Sequence, residues 1–428
     1  MSALSTTSQR QERKLVGFEA FKLNRSNPMS DKFEIRHFHS LEFWCGDATN
    51  TSRRFQWGLG MSLVCKSDLS TGNKDYASYV IKSNKTVFAF TAPYHTTTAE
   101  VTTGAPHPNF SQAEAHRFVM IHGLAVRAVG ILVTNAADAY AHCVAHGAKG
   151  VLAPTTLQDA SQPGASMCIS EIAYFGDTVI RWISTSGNFQ GSFLPNYVPV
   201  ESPDLNFGID RLDHAVSNVP NLFEAVDYLM TATGMHEYSE FTAADVGTVD
   251  SGLNSMVVTN NNEMVLLPVN EPTFGTKRKS QIQTYLEHNN GAGVQHLALK
   301  TDNIFVTVRE MRKRSLIGGF EFMPAPSQAY YAKVPERIGA DTLTPSQLSE
   351  LQELGLLADR DDQGVLLQVF TKPLGDRPTI FIEIIQRIGC DTTPEGEKKE
   401  QSAGCGGFGK GNFSELFKSI ENYEKSLE

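Results

Sequence analysis

A weak internal repeat restricts the possible folds more than any other feature of the sequence. His39 precedes a Gly60-Met61 pair by 22 residues to the methionine, and His214 precedes Gly234-Met235 by 21. The segment VGILVTNAADA (129–139) resembles HLALKTDNIFV (296–306), each a strand running into a capped helix, and GDTVIRWIS corresponds to GDRPTIFIEII. Self-similarity on this scale marks a reused supersecondary unit. The unit reads as βαβββ, and four copies give an α+β chain of two half-open β-barrels. At 428 residues the chain exceeds one ordinary core, as two barrels require.

The expected division is a flexible leader (1–30), a first barrel (31–187), a linker (188–206) and a second barrel (207–428) that ends in a helix over 412–427. The linker expectation rests on three prolines without sustained periodicity in NFQGSFLPNYVPVESPDLN. In the first part, HSLEFWCG, YVIKSNKTVFAFTAPY, HGLAVRAVGILVT and DTVIRWIS read as strands, with few helices apart from one over Ala136 to His146 behind Asn135. In the second, Leu222, Phe223, Val226, Leu229 and Met230 mark one apolar helix face, and a helix from Ile304 to about Arg314 is expected behind an Asp302 cap.

Net charge of -10 and the lack of a basic cluster exclude nucleic acid as the expected partner. No run approaches a membrane-spanning length, so no membrane span is expected. The opening MSALSTTSQRQERK has no apolar core for secretion; a cytoplasmic location is expected, with the plastid as alternative. The six cysteines show no CxxC spacing, which predicts reduced thiols.

The chemistry is concentrated in TIFIEIIQR, where Glu383 interrupts an apolar strand. A buried carboxylate needs a cation or hydrogen-bond donors. Two further strands, LDHAVSNV and GVQHLALKT, offer His214 and His296. Two imidazoles and one carboxylate suit ferrous iron, manganese or zinc and leave positions open. A lone strand histidine is ordinarily a hydrogen-bonded core residue, and it is the combination that argues for a metal. In the first half His39, Val129 and Trp182 or a neighbour align with the three ligands, so only the second barrel is expected to hold metal.

The segments RHFHSLEFWCGDATN, LDHAVSNVP, GAGVQHLAL, LLQVFTKPLGDRPTIFIEIIQR and GCGGFGKGNFSELF resemble the 4-hydroxyphenylpyruvate dioxygenase family, in its plant-like form, within the vicinal-oxygen-chelate superfamily. The resemblance runs from Leu15 onward. It implies one Fe(II) per chain on His214, His296 and Glu383, with no flavin, nicotinamide or external 2-oxoglutarate. It also implies conversion of 4-hydroxyphenylpyruvate and O2 to homogentisate and CO2 in tyrosine catabolism, a supply for plastoquinone and tocopherol synthesis, and a homodimer. By the same resemblance Gln281, Gln295, Gln368 and Phe370 serve catalysis, and Ser255, Asn270, Phe381, Phe408, Asn412 and Phe413 contact the substrate. Neutral amides can hold a phenol hydroxyl, and aromatic faces can hold its ring.

The Gly-rich stretch 395–411 reads as a mobile loop, followed by a helix that Asn412 and Glu415 would cap and whose stripe is Phe413, Leu416, Phe417 and Ile420. In the resembled family this helix closes over the iron. Three rivals share the fold: a hydroxymandelate synthase, an extradiol ring-cleaving dioxygenase and a binding module without activity. Phe370 favours the dioxygenase over the synthase.

Overall fold

The computed structural model describes residues 13–95, 105–247, 251–390, 401 and 404–425. The opening twelve residues of the expected leader, most of 395–403 and the end of the C-terminal helix lie outside the described residues.

A short helix α1 (Phe18–Asn24) precedes the first module, which runs β1 (Ile35–Trp44), α2 (Ala48–Leu59), β2 (Ser62–Ser67), β3 (Tyr76–Ser83) and β4 (Thr86–Pro93). After α3 (Gln112–His122) comes the second: β5 (Ala125–Val133), α4 (Ala136–Ala145), β6 (Gly150–Gln158), β7 (Ser166–Phe175) and β8 (Thr178–Ser186). A two-residue strand, β9 (Val198–Pro199), leads to the third: β10 (Ile209–Asn218), α5 (Leu222–Thr233), β11 (His236–Phe241), a turn of helix α6 (Ala243–Val246), β12 (Leu253–Thr259) and β13 (Leu266–Pro272). After α7 (Gln281–His288), the fourth has β14 (Gly293–Thr301), α8 (Ile304–Arg312), two inserted helices α9 (Gln328–Ile338) and α10 (Pro345–Glu353), then β15 (Leu357–Arg360), β16 (Gly364–Phe370) and β17 (Phe381–Gly389). The chain closes on α11 (Phe413–Lys425).

The modules pair into two mixed sheets, in the orders β6-β7-β8-β5-β1-β4-β3-β2-β9 and β11-β12-β13-β10-β14-β17-β16-β15. In each sheet the first strands of two modules lie antiparallel at the centre (β1 with β5, β10 with β14), and each also pairs in parallel with the last strand of its own module. These central strands are buried on both faces, which explains why TIFIEIIQR reads as an apolar run rather than an alternation.

Local chemistry matches the repeat. Helices α4, α5 and α8 all start behind an asparagine (Asn135, Asn221, Asn303) whose side chain accepts from the first-turn amides. The cap of α8 is therefore Asn303 and not Asp302, and that helix ends at Arg312. Helices α2 and α5 both stop at a left-handed glycine, Gly60 and Gly234. Three features depart from expectation. The stretch YVIKSNKTVFAFTAPY is two strands joined at Asn84 (φ 48), and α2 and α3 add helix to the first half. Phe193, Leu194 and Tyr197, in the expected linker, are buried in the first sheet's core, and β9 pairs with β2. Cys390 is bonded to Cys405, 15 residues on; the four remaining cysteines are free. The sequence offered no spacing motif for this bridge because its partners meet only when the chain after β17 folds back on that strand.

Helix α1 lies against the second sheet. Phe18 stacks on Phe241 with ring centroids 5.1 Å apart, its amide donates to Asp245, and Glu19 pairs with Lys410 at 2.9 Å.

Candidate metal centre

His214, His296 and Glu383 lie on β10, β14 and β17, three neighbouring strands at the centre of the second sheet. His214 is opposite Ala298, which is opposite Glu383, and His296 occupies the adjoining rung opposite Val216 and Phe381. The Nε2 atoms of His214 and His296 approach the same Glu383 oxygen, at 3.2 and 3.4 Å. All three offered ligand atoms lie within 4.8 Å of one another.

A one-residue register break precedes each histidine. Asp213 is the unpaired residue between Leu212 and His214, and Gln295 is unpaired between Val294 and His296. Such bulges re-aim a side chain that strict alternation would send to the other face. Asp213 Oδ2 consequently meets His214 Nδ1 at 2.9 Å, and Gln295 Oε1 meets His296 Nδ1 at 3.0 Å. With both Nδ1 atoms engaged, both Nε2 atoms face the common centre, the arrangement that orients metal-bound histidines.

Electrostatics agree. Burial alone would raise the Glu383 carboxyl, but hydrogen bonds from His214 and His296 hold it below the usual range. Burial would lower His214, yet hydrogen bonds to Asp213 and Glu383 raise it; burial lowers His296 despite Glu383. Two imidazole nitrogens and one carboxylate, brought together with their other atoms already occupied, fit a single divalent ion of the iron or zinc type.

The three groups open into a cavity. Every residue expected there lines it: Ser255, Asn270, Gln281, Gln295, Gln368, Phe370, Phe381, Phe408, Asn412 and Phe413. Phe381 stacks on the His296 ring at 4.9 Å, Phe370 meets that ring edge-on at 6.2 Å, and Phe408 meets His214 edge-on at 5.3 Å. Ser255 and Asn270 are direct cross-strand partners, and Asn270 Nδ2 donates to Asn218 at 3.2 Å. Leu416, Phe417 and Ile420 of α11 complete the wall. Asn412 does not cap α11: it sits in a short 3-10 turn, its oxygen accepts from Tyr330 at 2.8 Å, and its amide points to Gln368 at 3.4 Å. A buried amide with those partners is better satisfied facing inward.

In the first sheet the matching rungs are occupied by Ser40, Ala128 and Arg181, where His39, Val129 and Trp182 or a neighbour were expected. Ser40 faces Gly130, which faces Arg181, and Glu42 faces Ala128. His39 is the bulge residue, the counterpart of Asp213. His39 and Val129 are each off by one residue, which inverts the face, and Arg181 is the neighbour of Trp182; the asparagine caps Asn135 and Asn303 fix the alignment. Arg181 thus stands where Glu383 does. Its guanidinium contacts Glu42 and Glu171 of the sheet at 2.7 Å each and His107, from the segment before α3, at 2.9 Å.

Sequence reasoning missed Asp213, Arg387 and Asn218. Arg387 forks onto Asp213 with contacts of 3.1 and 2.7 Å, both side chains fully buried. The rule that flagged Glu383, a charge in an apolar strand, applies equally to Asp213 and Arg387.

No family model matches the chain. The chain is 59% identical over 421 residues to 4-hydroxyphenylpyruvate dioxygenase of Plectranthus scutellarioides, covering 97% of this chain and 94% of that one. It is 56% identical over 424 residues to the enzyme of the same name from Arabidopsis thaliana, covering 97% and 93%. Among solved structures, a triple mutant of 4-hydroxymandelate synthase from Streptomyces coelicolor superimposes with a TM-score of 0.72 at 22% identity, over 91% of this chain and 99% of that one, a likeness of fold.

Proposed function

The chain belongs to the 4-hydroxyphenylpyruvate dioxygenase family, and from that premise we propose that His214, His296 and Glu383 hold a single Fe(II) in the wall of the cavity described above. The protein is a non-haem iron dioxygenase that converts 4-hydroxyphenylpyruvate to homogentisate. The observation that carries the site assignment is the convergence of two imidazoles and one carboxylate on one point of a cavity walled by amides and phenylalanines.

Bound there, iron supplies the redox chemistry with O2 and a positive centre for the substrate's keto-acid end. The rest falls to the chain. Asp213 and Gln295 hold the two histidines with Nε2 forward. Ser255, Asn270, Gln281 and Gln368 offer neutral hydrogen-bonding groups for the phenol, which avoid a competing charge. Phe370 and Phe381, with centroids 6.1 Å apart at 76°, bound the space for the ring. Phe408, Phe413 and α11 cover the cavity and keep water from the reacting atoms.

We also propose that the chain works as a homodimer through the half bearing the first sheet, whose edge strand β6 exposes Val151; sedimentation at two concentrations tests this. Among the described residues no helix is long and apolar enough to cross a membrane.

The deciding experiment supplies purified protein with ferrous iron, 4-hydroxyphenylpyruvate and air. Homogentisate and CO2 are expected in equal amounts. Accumulation of 4-hydroxymandelate, or full turnover by metal-stripped protein, overturns the proposal.

A further inference from the structure

We propose that Arg387 is a positioning residue that ties the loop over the cavity to the metal ligand His214, so that a filled metal site and an ordered loop favour one another. The inference rests on the metal assignment above and adds to it a route between two elements.

The route consists of five direct contacts. His214 Nδ1 meets Asp213 Oδ2 at 2.9 Å; that carboxylate accepts Arg387 Nη2 at 2.7 Å and Nε at 3.1 Å. The remaining guanidinium nitrogen, Nη1, donates to the carbonyls of Cys405 and Gly407 at 2.5 and 2.7 Å. Those carbonyls belong to a loop in which Gly404, Gly406, Gly407 and Gly409 all have φ between 69 and 77°. Glycines permit such a turn, and its carbonyls, outside any helix or sheet ladder, need another donor. The same loop carries Phe408, whose ring lies 5.3 Å from His214 and 5.9 Å from the guanidinium carbon.

Both Arg387 and Asp213 have fully buried side chains, so solvent satisfies none of these groups. Asp213 also receives Arg211 at 3.2 Å, which means that its charge does not by itself require Arg387. What Arg387 alone provides is the planar fork that spans a carboxylate on one edge and two carbonyls on the other. Moving the loop withdraws acceptors from the guanidinium; tilting His214 moves the carboxylate it grips. The two sites therefore share one rigid element, and any preference transmitted through it is reciprocal.

The test is hydrogen–deuterium exchange on the full chain with and without Co(II), used as an ion that binds the same donors without turnover. Wild-type protein is expected to show amide exchange in 404–412 slowed by about 5- to 100-fold on Co(II) addition, the range of ordinary coupling. Arg387→Lys keeps a cation beside Asp213 but cannot span both carbonyls. It is expected to bind Co(II) within about threefold of wild type, and the metal-dependent slowing in the loop is expected to vanish. Asp213→Asn is expected to lower Co(II) affinity by about 10- to 100-fold. A purely structural role would speed loop exchange in Arg387→Lys equally with and without metal, and that result overturns the proposal, as does unchanged protection in the variant. The charge-neutral pair Asp213→Asn with Arg387→Gln serves where a single variant does not fold; persistence of metal-dependent protection there refutes the route. Homogentisate formation by wild type is measured separately, so a protein that turns over substrate without metal-dependent protection fails this inference alone.

Discussion

Replacing Arg181 with methionine should invert the pH dependence of stability in the first half of the molecule. Arg181, Glu42 and Glu171 have side-chain exposures of 2, 4 and 5%, and each carboxylate lies 2.7 Å from the guanidinium. Burial alone would raise both carboxyl groups, but the Arg181 charge reverses this and holds both below the usual range, Glu171 well below it. A carboxylate whose folded pKa is depressed contributes stability above its unfolded value of 4.5 and loses it as pH falls further. Wild-type stability from this cluster should therefore be level between pH 8 and 5 and decline below that. In Arg181→Met burial is unopposed, the folded pKa values rise, and the sign changes: the variant is weakest at neutral pH and recovers as acid protonates the pair. Leaving buried charges without their partner costs about 3–5 kcal/mol at pH 7. All three tryptophans, Trp44, Trp57 and Trp182, belong to this half, so urea unfolding followed by tryptophan fluorescence at pH 5 and pH 8 reads the effect directly. A cost under about 1 kcal/mol, or a variant as pH-independent as wild type, would refute the reasoning. Adding Glu42→Gln and Glu171→Gln to Arg181→Met should remove the inverted slope.

Three further outcomes are expected. Glu383→Gln removes the single anionic ligand and should weaken Fe(II) or Co(II) binding beyond about 100-fold, more than loss of an outer partner, with matching loss of homogentisate formation; retained affinity in a metal titration would disprove the ligand role. Gly409→Ala places a Cβ 2.2 Å from Gln368 Oε1 at a φ of +73°, so KM should rise and stability fall by about 1–2 kcal/mol; steady-state kinetics unchanged from wild type would show that the loop is not packed on the cavity floor. Reducing Cys390–Cys405 opens a 15-residue loop and should leave the reduced protein about 3 kcal/mol less stable than the oxidised one, measured as the shift in urea midpoint with and without a dithiol; no shift means the bridge does not constrain the unfolded chain.

Much of this architecture was readable because the repeat, the helix caps and the isolated charge in TIFIEIIQR are local signals. Two half-open barrels, the triad and ten cavity residues all follow from them or from the family segments. The one-residue error in the first half has a definite cause: aligning VGILVTNAADA with HLALKTDNIFV set Asn135 against Asp302, whereas the cap equivalent to Asn135 is Asn303, and His39 was matched to His214 by residue type although it is the bulge residue. A bulge has no compositional signature in these strands, so parity beyond it was unreadable. A bulge also hid Asp213, which strict alternation would place on the face opposite His214. Arg387, at the end of the strand that carries Glu383, was legible as a buried charge but its partners were not. They come from β10 and from the loop after β17, and contacts of that range leave no local trace.

The position of α1 against the cavity cover has a consequence for how the protein is made. Glu19 and Lys410 are 391 residues apart in sequence and 2.9 Å apart in space, and the ring series Phe18, Phe241, Phe413 runs from α1 into α11. At about 5–20 residues per second a ribosome needs roughly 20–80 s to cover the interval between them. During that time α1 can already rest on Phe241 and Asp245 of the second sheet but lacks Lys410 and α11, while both sheets can already have formed. The cover is thus among the last elements to assemble, and its completion depends on the slowest class of contact, that between sequence-distant segments. In pulse-labelled refolding, protection at 404–412 should appear after protection in β10, β14 and β17.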